Sequence, residues 1–155
     1  MNKKVVLFKS LSLAMLIVAL VLEALPFGAV LILVPDPSIA SEVITRYYSY
    51  FDLTPFGYAN FAPFITAVLT VMLTALCVAL IFVKRQPKQL RAAQFGVTLA
   101  AAVISVCPIF YGIQYVTLSG VFITVALAVS AVFCGISNAA LKKAETAQKE
   151  KICEQ

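Results

Sequence analysis

The chain has no histidine and no tryptophan among its 155 residues. Without imidazole there is no general base of the commonest kind, no histidine proton relay and no histidine metal ligand. Its cysteines, Cys77, Cys107, Cys134 and Cys153, form no Cys-x-x-Cys pair, which removes dithiol redox chemistry. None falls between residues 35 and 61, the one long stretch outside the apolar runs, so no disulfide framework is expected. Three read as small buried hydrophobes and the fourth as a reduced thiol in the tail. Phosphate-cradling glycine loops are missing, and no serine has a candidate base beside it. The apolar runs hold a single carboxylate, Glu23, where a carboxylate pair would be needed for acid–base work. The expectation is a protein that is not an enzyme and holds neither metal nor cofactor.

Charge is also scarce. Charged residues make up 12% and hydrophobic residues 62%, against roughly 25% and 45–50% in soluble domains, and the mean hydropathy is +0.98. The apolar residues gather into four runs, about 11–34, 62–83, 92–115 and 121–141. A helix of about 20 apolar residues crosses a hydrocarbon core of roughly 30 Å, and in lipid its backbone groups must bond within the segment. The fold class read from this is an all-α membrane protein, a four-transmembrane-helix bundle with one long aromatic-rich outer loop. Residues 1–141 form one transmembrane domain and 142–155 a charged cytoplasmic tail.

Of the 12 basic residues, all but Arg46 lie on one side of this arrangement. Lys3, Lys4 and Lys9 precede span one; Lys84, Arg85, Lys88 and Arg91 join spans two and three; Lys142, Lys143, Lys149 and Lys151 follow span four. The positive-inside rule then puts both termini in the cytoplasm of a cell with a multi-pass protein in its plasma membrane. The net charge of +5 has this cause, so no nucleic-acid partner is expected; nucleic-acid binding asks for a clustered basic face with base-reading groups. The lipid bilayer is the partner expected instead. Lys3 and Lys4 before an apolar stretch imitate a secretory signal, but Glu23-Ala24-Leu25-Pro26-Phe27-Gly28 offers no small-residue cleavage site. Mass spectrometry of the purified protein is expected to find residues 2–28 still attached; a mature end near Ala29 would leave three spans.

Within span one, Pro26 lacks the N–H that would bond Leu22, and Gly28 loosens the next turn, so the span is expected to bend and continue to Val34. The alternative starts the helix near Val5 and ends it before Pro26, with 26–34 an irregular outer segment. The outer loop, from Pro35 to about Phe61, carries Tyr47, Tyr48, Tyr50, Phe51, Phe56, Tyr58 and Phe61. Such rings settle at headgroup level; a lid over the bundle is the functional alternative. Ser38 to Glu42 suggests a cap and a short helix towards Tyr48, Thr54-Pro55-Phe56-Gly57 a turn, and Arg46–Leu53 is compatible with helix or strand. Span two opens at Pro63 and carries Thr66, Thr70 and Thr74 on one face. Pro108 implies a kink in span three. Gly96 and Ala100, then Ala131, Gly135 and Ala139, and Gly120, Thr124 and Ala128, allow close helix approach, within the chain or to a second copy or another membrane protein.

Glu23 is the residue of interest. Counted at about 1.5 Å per residue it lies about 18 Å from Leu11 and about 16 Å from Val34, near the bilayer midplane. A charged residue there costs about 2.5–3.5 kcal/mol on insertion scales and marks function by default. Thr66, Thr70 and Gln114 are the donors expected at its depth. In the alternative, span one ends early and Glu23 is a solvated carboxylate, or one paired with Arg46; Asp52 is the other charged candidate in that loop.

The stretch from Tyr48 to Phe61, Tyr-Ser-Tyr-Phe-Asp-Leu-Thr-Pro-Phe-Gly-Tyr-Ala-Asn-Phe, leading into span two, resembles small four-span membrane proteins of Gram-positive bacteria that carry no assigned function. The resemblance implies fold and membrane location and no mechanism. Four helices with one glutamate in the first are also similar to the small multidrug transporters, which differ in their short loops and membrane-embedded tryptophan. The chain lacks the outer-loop tryptophan and cysteine pair of claudins. The expected function is a non-enzymatic multi-pass membrane protein acting through helix packing or partner association. The alternative is a small-molecule or ion transporter using Glu23.

Overall fold

A computed structural model of the chain describes residues 3–33, 44–52, 61–83 and 87–153. Helix α1 runs Lys3–Ala24, strands β1 and β2 run Ala29–Leu33 and Ile44–Tyr48, and α2 runs Ala62–Phe82. Helix α3, Lys88–Ile104, is followed by the short α4, Cys107–Tyr111, a 3-10 turn at Ile113–Tyr115, and α5, Leu118–Cys153. Among the described residues, four segments are long and apolar enough to cross a membrane: Lys4–Ala24, Ala62–Phe82, Lys88–Tyr111 and Leu118–Ala147. Large apolar side chains such as Met72, Phe82, Val103, Phe110 and Val132 stand exposed on their outward faces. Water would penalise such a surface and lipid does not.

The first span corrects the expectation of a bent helix over 11–34. It begins at Lys3 and stops at Ala24. Pro26 cannot bond the Leu22 carbonyl, and Leu25 N–H takes that carbonyl instead, at 3.2 Å, tightening the last turn. The apolar run beyond the proline is neither helix nor irregular. It is β1, paired antiparallel with β2 in the register Ala29↔Tyr48 to Leu33↔Ile44. Pairing with β2 satisfies the backbone groups of alternate β1 residues, and Leu31 packs into the bundle end. Residues 44–48 are therefore strand, against the short helix expected towards Tyr48 and in line with the extended alternative for Arg46 onward, and the described part of the outer connection is a hairpin rather than a long loop. The expected cap at Ser38–Glu42 and turn at Thr54–Gly57 lie outside the described residues.

Span three breaks where Pro108 removes the donor that the Ile104 carbonyl would need. Helical bonding gives way to Val106 N–H on Val103 O at 3.1 Å and Ile109 N–H on Val106 O at 3.0 Å. Gly112, at φ +132°, ends the segment in a conformation that L side chains rarely adopt. Helix α5 continues past Leu141 without a break to Cys153.

The core lies along the bundle axis, with Leu16 and Ala19 of α1, Ala67, Leu73 and Cys77 of α2, Ala101 of α3, and Ile123, Ala126 and Leu127 of α5. Helices α1 and α5 lie antiparallel: the Ser12 and Ser130 hydroxyls meet at 2.8 Å, and the Phe8 and Phe133 ring centroids are 6.2 Å apart. Small residues on α5 are thus used inside the chain. Ala131 is buried and Gly135 faces the Phe95 ring of α3. On α3, by contrast, Gly96 has nothing within 4 Å of where a Cβ would stand. The bundle has a hairpin end, where β1 and β2 sit, and a terminal end, where the first turns of α1 and the last of α5 sit.

Candidate functional site

Glu23 is the penultimate residue of α1, at the hairpin end and not at mid-helix. It is nevertheless 0% exposed. The hairpin produces this combination by folding back over the helix terminus. The Glu23 carbonyl, which would otherwise be an orphan at a helix end, accepts from Tyr50 N–H at 3.0 Å and from the Ser49 hydroxyl at 2.9 Å. The side chain turns inward to α2, where the Thr70 hydroxyl donates to Oε1 at 2.8 Å. Oε2 is buried with no hydrogen-bond partner.

The same Thr70 hydroxyl lies 2.9 Å from the Thr66 carbonyl. One hydroxyl carries one proton, which cannot serve two acceptors fully. A protonated Glu23 would resolve the competition by donating to Thr70 Oγ1, leaving that proton for Thr66 O. Among the described residues no lysine or arginine is within ion-pair distance of Glu23. The predicted residues divide accordingly. Thr70 meets Glu23; Thr66, one turn earlier and fully buried, donates to Ala62 O and supplies the carbonyl that Thr70 uses. Gln114 is exposed on the 3-10 turn, its side chain folded against Gly112. Arg46 is exposed on β2 opposite Leu31, so it does not pair with Glu23. Asp52 Oδ2 accepts from Ser49 N–H at 2.7 Å and closes the turn after β2.

Tyr50, expected at headgroup level with the other aromatic residues, is buried at 2% exposure. Its ring fits against Gly28: a Cβ there would stand 2.7 Å from Tyr50 Cδ1, so only glycine admits this approach. The phenol reaches towards Gly120, where a Cβ would stand 3.3 Å from its oxygen. Burial pushes the Tyr50 phenol up to about 12, and the neighbouring Glu23 charge acts in the same direction. Thr117 completes the joint. Its hydroxyl donates to Gly28 O at 2.7 Å and accepts Gly120 N–H at 2.8 Å, capping α5 while tying the hairpin to it. Spacing alone did not reveal Ser49, Tyr50 or Thr117; the signal was two glycines and a threonine placed at the two chain turns.

A cavity of about 150 Å³ lies beneath the hairpin. Val30, Phe64, Pro108, Ile109 and Val121 make it largely apolar, and three hydroxyls on its wall bond to backbone carbonyls: Ser105 to Ala102 O, Thr117 to Gly28 O and Thr124 to Gly120 O. At the other end, Lys9 is buried within α1, and the Cys77 thiol lies 4.0 Å from its carbonyl. Among the described residues no three Cys, Asp or Glu side chains gather as a metal site would require. No family model matches the chain, and no curated protein and no solved structure matches it either.

Proposed function

We propose that the chain is a non-enzymatic multi-pass protein of the plasma membrane, with both termini cytoplasmic, that works through packing and association rather than chemistry. The observation that carries this reading is the use of its hydroxyls. Ser12 and Ser130 bond each other across α1 and α5, and Thr66, Thr74 and Thr98 each donate to a carbonyl four residues back. They hold helices and are not grouped as nucleophile and base. Its partners on this reading are lipid and another membrane helix, from a second copy or another protein. The resemblance of the stretch from Tyr48 to Phe61 to small Gram-positive membrane proteins agrees with this reading.

The orientation rests on the division of the basic residues, which puts the terminal end of the bundle in the cytoplasm. Cys153 is expected to react with a membrane-impermeant thiol reagent only after cells are opened. A cysteine introduced by Ser41→Cys is expected to react in intact cells. The reverse pattern would overturn the orientation.

A second reading, transport of a small molecule or ion, is favoured by one observation: the Glu23 carboxyl, buried with one oxygen unpartnered. Intramembrane acids of this kind mark ion and proton pathways. The full chain in proteoliposomes, assayed for proton-coupled flux, tests it.

A further inference from the structure

At the terminal end, far from Glu23, α3 and α5 flank an open recess of about 210 Å³ lined by Lys88, Arg91, Ala92, Asn138, Lys142 and Glu145. Arg91 is the unusual member. Its side chain is only 7% exposed, although it sits in the first turn of α3. It is held from both sides: Glu145 Oε1 binds its Nη2, and the Asn138 amide donates to its carbonyl at 3.2 Å. Its Nε is nevertheless buried without a hydrogen-bond partner. A guanidinium with an unused donor is an incompletely satisfied anion binder.

The charges around it are unbalanced. Glu145 is shared between Arg91 and Lys88, the latter at 3.7 Å. Lys142 reaches no carboxylate among the described residues. Three cations therefore face one anion, which leaves a net charge of +2 in a recess between two membrane-spanning helices. Exposed Leu90, Phe95, Leu99, Val132 and Ile136 lie on α3 and α5 close to this end. A ligand suited to both features has an anionic oxygen head and apolar chains.

We infer that this recess binds the phosphate headgroup of an anionic phospholipid, with Lys142 and Lys88 on the phosphate and Glu145 competing with it for Arg91. Basic pockets between transmembrane helices recognise anionic headgroups in this way, each nearby cation contributing about fivefold in affinity. Glu145 keeps Arg91 satisfied while the recess is unfilled and yields when a phosphate enters. The carboxylate thus opposes binding although it stabilises the helix pair.

The test is native mass spectrometry of the full chain after exchange into micelles holding equal phosphatidylglycerol and phosphatidylcholine. One phosphatidylglycerol is expected to be retained in preference to phosphatidylcholine. Lys142→Gln is expected to lower that preference about fivefold, and Lys143→Gln, one residue outside the recess, to leave it unchanged. Glu145→Gln is expected to strengthen retention, which a merely structural ion pair would not do. Arg91→Gln, which could unfold the protein, is read only with its thermal unfolding midpoint beside it. Equal retention of both lipids, or equal losses in Lys142→Gln and Lys143→Gln, would overturn the site in favour of diffuse surface charge. Displacement of the lipid by millimolar inorganic phosphate would show a free-anion site and overturn the assignment to lipid.

Discussion

Replacing Tyr50 by alanine is expected to destabilise the purified protein by about 3–5 kcal/mol, the range for removing a buried aromatic ring. The ring fills the joint between Gly28 and Gly120, and its backbone N–H caps the Glu23 carbonyl. Truncation leaves a void beside an existing cavity, and the hairpin loses its main apolar anchor. Tyr50→Phe keeps the ring and is expected to cost under about 1 kcal/mol, the scale of one hydrogen-bonding group. The two variants also differ in pH dependence. The folded phenol titrates near 12, and the unfolded one near 10. Its contribution is therefore complete below the unfolded value and is lost as pH rises through the folded one. Denaturant unfolding in detergent between pH 9 and pH 12 is expected to show this loss in the wild type and not in Tyr50→Phe. A Tyr50→Ala curve within about 1 kcal/mol of wild type would mean that the ring does not hold the hairpin.

Glu23→Lys is expected to have the largest effect of any substitution in the spans, removing most folded protein from the membrane. It would put an ammonium in the fully buried place of the Glu23 carboxyl, against Thr70, and an unpaired buried charge costs several kcal/mol. Glu23→Gln is expected to leave abundance and unfolding nearly unchanged, because its amide oxygen keeps the Thr70 hydrogen bond that Oε1 now accepts. Glu23→Ala removes that acceptor and leaves a small void, with an expected loss on the order of 1–3 kcal/mol. If the transport reading holds, Glu23→Gln also abolishes proton-linked flux, since an amide carries no exchangeable acid proton. Should Glu23→Gln and Glu23→Ala both leave stability and flux untouched, the transport reading would lose its chemical support.

The residues that carry these predictions were legible to different degrees. Pro63 announced the start of α2, and Pro108 the break in span three, because proline acts locally on a donor that can be counted from the sequence. Thr70 could be matched to Glu23 by counting residues along the two spans. Leu31-Ile32-Leu33 could not be assigned, because a short apolar run satisfies a buried strand as well as a helix. The strand's partner, Ile44–Tyr48, lies across residues whose pattern gives no hairpin signal. Pro26 and Gly28 suggest a bend within the span, since leaving the apolar run beyond them exposed is costly; pairing with β2 and packing of Leu31 on the bundle end remove that cost.

By itself the sequence determined the membrane class, the four spans and the one-sided charge, since each depends on composition summed over a segment and on the bilayer's thickness. It also singled out the carboxylate, for an acid in an apolar run stands out without any structure. Only the tertiary structure decided where α1 ends, that Glu23 is buried close to a helix terminus, and that Tyr50 is a core residue. Those depend on contacts between segments distant in the chain, Glu23 with Ser49 and Tyr50, Gly28 with Thr117, and Arg91 with Glu145. Pairings of that kind are set by which surfaces meet, and local periodicity carries no record of them.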